Sequence, residues 1–94
     1  MNYEDFGKLV GTKFDIDGFD GKQIEFFELS ERKQMPMQEV FSLFFRGSRD
    51  FFLEQKLYEL SAPEIETSIL FLVPVAQDDE YFTYQAVFNR LLKP

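Results

Sequence analysis

Val40-Phe-Ser-Leu-Phe-Phe-Arg-Gly47 is the densest apolar run in the first half of the chain. One later run matches it in weight, Ile69-Leu-Phe-Leu-Val-Pro-Val75. Both have strand length, both are rich in aromatic or β-branched residues, and turn-type residues bound each of them. In the first run, alternation puts Phe41, Leu43 and Phe45 on one face and Val40, Ser42, Phe44 and Arg46 on the other. The two runs predict central strands of one antiparallel core.

The flanking sequence supplies the remaining strands. Thr12 to Gly18 alternates, with Phe14 and Ile16 on one face and Lys13, Asp15 and Asp17 on the other. Asp17-Gly-Phe-Asp-Gly21 is turn chemistry, and Lys22 to Lys33 returns as the hairpin partner. That return switches parity, because Ile24 and Phe26 share one face while Phe27 and Leu29 share the other. A bulge near Phe26–Phe27, or cover on both faces, is expected. Arg32 to Glu39 is polar around Pro36 and reads as a loop. Gly47 to Asp50 reads as a turn, followed by a short apolar loop, Phe51-Phe-Leu53, which needs cover. Gln55 to Ser61 is a fourth strand, with Tyr58 and Leu60 paired on a face. Ile65 to Val75 is the fifth, bulged or at an edge where Pro74 removes a donor. Tyr81 to Asn89 is the sixth, with Phe82, Tyr84, Ala86 and Phe88 on one face. Residues 90–94 read as a tail.

Ahead of the sheet, Tyr3, Phe6, Leu9 and Val10 recur at helical spacing, with Asn2 as cap and Gly11 as stop. A short helix over residues 2–10 follows, and it needs docking on the sheet because it is too short to hold alone in water. The expectation is one mainly β domain over residues 1–94. It is a six-stranded antiparallel meander over residues 12–89, closing into a small barrel or a two-layer sandwich, with one short N-terminal helix.

Composition excludes more than it indicates. The chain has no Cys and no His. That removes disulfides, thiolate nucleophiles and Cys-ligated metals, together with the usual general base near neutral pH and every triad that needs imidazole. The net charge is −7, from 17 acidic and 10 basic residues, which opposes binding to nucleic acid or to anionic membranes. No apolar run reaches the length of a membrane span, and Met1-Asn-Tyr-Glu-Asp5 is unlike a secretory leader. A soluble, cytoplasmic, non-catalytic protein without cofactor is expected. No Gly-rich phosphate loop or Ser-x-x-Lys arrangement occurs, and nothing marks a cleft around Glu25, Glu28 and Glu31.

Three elements together, Phe41-Ser-Leu-Phe-Phe-Arg-Gly47, Leu70-Phe-Leu-Val-Pro-Val75 and Tyr84-Gln-Ala-Val-Phe-Asn89, with Leu9-Val-Gly-Thr12 near the start, carry a likeness across nearly the whole chain. In this order they resemble a family of short bacterial domains of unknown function. The resemblance implies a compact β-domain with no established activity, accessory to phage-tail-like or other multiprotein assemblies. Against the family's more Pro- and Gly-rich connection after Arg-Gly, the segment Ser48-Arg-Asp-Phe-Phe-Leu-Glu-Gln55 departs, which marks that loop as specialised.

The candidate contact residues are the apolar ones that simple alternation leaves over: Phe19, Met35, Met37, Phe44, Phe51, Phe52 and Leu53. Arg46, at a strand end, is the candidate polar anchor; it either receives a carboxylate or phosphate or pairs with an acid on a neighbouring strand. The acids at Asp15, Asp17 and Asp20, and at Asp78, Asp79 and Glu80, read as solvated turns, because the spacing of a calcium loop is not met. With 13 Phe residues, the expectation is a module that binds a protein partner or itself. The alternative is a small barrel holding an apolar small molecule, which six strands disfavour.

Overall fold

The computed structural model describes residues 2–91. It contains one helix, α1 (Tyr3–Gly7), and seven strands: β1 (Lys13–Ile16), β2 (Gln23–Leu29), β3 (Lys33–Met35), β4 (Gln38–Ser48), β5 (Lys56–Ala62), β6 (Ile65–Gln77) and β7 (Tyr81–Leu91). Six of them close on themselves in the order β2-β1-β5-β6-β7-β4, with β4 pairing back to β2; β3 hangs on the far edge of β4. The fold is therefore a barrel rather than a sandwich. All pairings are antiparallel.

The axis of the structure is β4. It pairs with β7 without a break from Gln38↔Leu91 to Ser48↔Tyr81. Its inward residues Phe41, Leu43 and Phe45 are each almost wholly buried, as the alternation requires. The predicted parity switch in β2 is a bulge: Phe26 lies opposite Phe45 and Glu28 opposite Phe44, so Phe27 is the inserted residue. Ile24 and Phe26 precede it in the core, and Leu29 packs on the core after it. Pro74 also sits where expected. The β6 register slips between Pro74 and Ala76, and β5 accompanies β6 only as far as Lys56↔Leu72. No ladder therefore needs an amide from Pro74 on that side.

Four expectations are corrected. The helix stops at Gly7 and not Val10, and turns carry the chain through Gly11, which holds φ +98. Residues 32–39 are not a plain loop: Lys33–Met35 folds back on Val40–Gln38 around Pro36-Met37 as a small hairpin. The last strand runs on through Arg90 and Leu91, while residues 92–94 of the expected tail lie outside the described residues. The strand order is not a simple meander, because β4 neighbours β7 and β5 neighbours β1. Residues 49–55 must therefore cross one end of the barrel to carry the chain from β4 to β5.

That crossing makes the end cap. Leu53 is 0% exposed, and its amide donates to the Tyr84 hydroxyl at 3.1 Å. Gly47 makes room beneath it: a Cβ there would lie 2.9 Å from Ile24 Cγ2 and 3.4 Å from Phe51 Cζ. The opposite end is closed by α1. Asn2 and Asp5 form a reciprocal capping box. Phe6 is buried with its ring 5.9 Å from Phe41 and 5.0 Å from Phe88. The Tyr3 hydroxyl donates to the Ser30 carbonyl at 2.7 Å, and Arg32 pairs with Glu4 at 3.2 Å. Between the caps, Phe14, Phe26, Phe45, Leu60, Leu72 and Tyr84 fill the interior.

Candidate interaction surface

The candidate contact residues fall in three separate places. Phe19, Phe51, Phe52 and Leu53 belong to the crossed end. Leu53 is core and offers nothing to a partner, which corrects its place among the contact residues. Phe19 and Phe51 are half-buried and packed on the core; the Phe19 ring lies 6.0 Å from Tyr58, and the Lys22 ammonium lies 5.7 Å from the centre of the Phe51 ring. Phe52 alone of the four is half exposed, standing edge-on to Phe82 at 5.1 Å. Met35 and Met37 are exposed on the β3–β4 hairpin near the other end. Phe44 lies on the outer wall, between Glu28 of β2 and Gln85 of β7.

Arg46 takes the internal role. Its Nε donates to Glu25 Oε1 at 3.0 Å on the adjoining strand, and its guanidinium lies 4.7 Å from the Tyr81 ring centre and 5.2 Å from that of Phe27. The hydrogen bond to Glu25 holds the guanidinium pKa above its ordinary value. A shallow groove beside it is lined by Lys13, Gln23, Ser48 and Tyr81. The acidic turn at residues 78–80 is a structural turn as well. Asp78 Oδ1 accepts from the amides of Glu80 and Tyr81, both at 2.8 Å, and these bonds pull its carboxyl pKa down. In the first hairpin, Asp15 accepts from Gln23 Nε2 at 3.0 Å.

A further group of residues makes an apolar band on the outer wall. Leu57, Ile69, Phe71 and Val87 are 63%, 64%, 47% and 59% exposed. Leu57 pairs with Phe71 across β5 and β6, and Ile69 pairs with Glu59. Val73 pairs with Gln85 across β6 and β7, which puts Val87 and Phe71 on the same outer face, one on either side of that junction. Ser42 pairs with Val87 and Phe44 with Gln85, so the band continues onto β4, where Gln85 Nε2 donates to Ser42 Oγ at 2.9 Å. Four side chains of this kind at these exposures offer on the order of 400 Å² of apolar surface, the scale of a functional patch on a monomer.

The sequence held a signal for this surface. Ile69-Leu-Phe-Leu-Val73 is apolar at every position. A barrel strand has one inner face, so when Leu70 and Leu72 point in, Ile69, Phe71 and Val73 must point out. Apolar weight alone marks a central strand; the outward set emerges only when parity is combined with closure of the barrel.

The family described as Domain of unknown function (DUF6916) matches over residues 1–88. No curated protein and no solved structure matches the chain.

Proposed function

The chain belongs to the DUF6916 family, and for this member we propose a non-catalytic role as a protein-interaction or assembly module that docks through the outer wall of β5, β6 and β7. The observation that carries the reading is the band of Leu57, Ile69, Phe71 and Val87, held 47–64% exposed on a face that the core does not need. Such a face costs solubility unless something covers it. The lack of both His and Cys supports a role without chemistry, and the lack of Cys suits a cytoplasmic setting. Among the described residues no helix is long and apolar enough to cross a membrane. A role as accessory to a multiprotein assembly fits a small closed barrel with an apolar band on its outer wall.

The reading with an apolar ligand inside the barrel has less support, because Phe14, Phe26, Phe45, Leu72 and Tyr84 occupy the interior. About eight strands are needed before an interior holds even a small ligand.

The test is affinity capture from the native host with three baits: wild type, an Ile69→Lys plus Phe71→Lys variant, and a Phe52→Ser variant. Each substitution replaces an exposed side chain, so each bait keeps its melting temperature to within a few degrees. The expected outcome is one bound species, another protein or a second copy of the chain, lost with the first variant and retained with Phe52→Ser. Retention by the outer-wall variant contradicts the proposal.

A further inference from the structure

We infer that the partner docks by strand addition: an extended peptide segment of another protein, apolar at alternate positions and ending on a basic residue, lies in an open seam of the barrel between β6 and β7. This rests on the reading of the outer wall as a contact surface and names what that surface receives. The barrel closes there by a partial ladder. Strands β6 and β7 pair only from Gln77↔Phe82 to Val73↔Gln85, yet β6 begins at Ile65 and β7 runs to Leu91. Residues 65–72 of β6 are paired with β5 alone, and residues 86–91 of β7 with β4 alone. Among the described residues, each stretch therefore turns a row of backbone N–H and C=O groups to the seam with no strand opposite.

Backbone groups of that kind are matched by another extended backbone, and an open sheet edge is where peptides add as a further strand. The side chains on the two lips agree. On β6, Leu70 and Leu72 point in while Ile69 and Phe71 point out; on β7, Ala86 points in while Val87, Asn89 and Leu91 point out. In a completed sheet Ile69 and Val87 would each have a cross-strand neighbour on the seam side. The open seam removes it, and both stay largely exposed. The floor is apolar and comes from three elements: Phe6 of α1, Leu70 of β6 and Phe88 of β7. The Phe6 and Phe88 rings already lie 5.0 Å apart. An inward side chain of an added strand meets this floor, so it must be apolar.

Charge sets what stands at the end of the peptide. Strand β7, and β6 from Thr67 to Gln77, hold no acid. At the foot of the seam Glu64 and Glu66 stand exposed, and among the described residues neither is in an ion pair. Asp5 and Lys8 line the recess beside them. With a net charge of −7 on the chain, a Lys or Arg at that end is attracted and an acid is repelled.

The test has two parts. Hydrogen exchange of the pure, isotope-labelled protein is read residue by residue by NMR. Alternate amides of residues 65–72 and 86–91 are expected to exchange far faster than the amides between them, which bond to β5 and β4. Uniform protection of both stretches means a closed seam and overturns the inference. Protection that grows with protein concentration puts a second copy in the seam and overturns the choice of occupant. In the second part, displayed random peptides of about ten residues, the upper end of strand lengths, are selected on the wild type. The enriched peptide is synthesised unmodified and in two N-methylated forms, one blocking the odd amides and one the even. The expected peptide alternates apolar residues, ends on Lys or Arg and protects the seam amides. One of its methylated forms binds about tenfold more weakly or worse. Its affinity falls with Ile69→Lys and is unchanged with Phe52→Ser, both variants being confirmed as folded by thermal melting. Two methylated forms that bind like the unmodified peptide overturn strand addition, as does a selection that enriches nothing. If the host capture is still lost with the outer-wall variant, the contact surface stands and only the mode of docking was misassigned. If that capture too is unaffected, both readings fall.

Discussion

Tyr84 joins the barrel wall to its end cap. Its ring is fully buried, and its hydroxyl accepts the Leu53 amide. Removing the hydroxyl by Tyr84→Phe leaves a buried amide without a partner, a loss of about 1–3 kcal/mol. Burial also raises the phenol pKa above its ordinary 10.0. A raised folded-state value means that the full contribution is present below 10.0 and is lost as pH rises through the folded value, because the unfolded chain releases its proton first. Urea unfolding stepped across that range will show stability falling in the wild type and falling less in Tyr84→Phe. Some slope persists in the variant, because Tyr58 is raised by burial as well. Equal slopes in the two proteins would refute this account of Tyr84.

At the scale of elements, what the sequence reveals is what is local. Phe14 and Ile16, Tyr58 and Leu60, and Phe82 through Phe88 alternate cleanly, and each set faces inward as alternation requires. The bulge at Phe27 and the slip beside Pro74 were legible for the same reason, since each breaks a period within a few residues. The crossing from β4 to β5 was not. It depends on which distant strands pair, and alternation carries no strand order. The apolar loop Phe51–Leu53 therefore looked like surplus when it is a plug. Strand β3 was missed because Lys33-Gln-Met35 has neither apolar alternation nor β-branched residues; β4 beside it supplies the ladder. If the loop is a plug, its neighbouring residues must differ sharply. Leu53→Ala will cost about 2–5 kcal/mol in denaturant unfolding. Phe52→Ala, at a half-exposed ring, will cost about 1 kcal/mol or less. Similar costs at the two positions would contradict the plug.

For the whole molecule, both ends of the barrel are closed from within the chain, by α1 at one end and residues 49–55 at the other. The interior is filled. What is left for contact is the wall, and its charge and polarity are uneven. Strand β7, and β6 from Thr67 to Gln77, hold no acid, while Glu28 of β2 and Glu59 of β5 flank that wall. The central claim is that this wall, and neither end, is where the protein is met. Side-chain carbene footprinting tests it most directly, comparing dilute pure protein with the protein in its assembled state in host extract. The account predicts protection of Leu57, Ile69, Phe71 and Val87 on assembly, with Phe52, Met35 and Met37 labelled equally in both states. Protection of the methionines or Phe52, with the wall labelled as before, would contradict it.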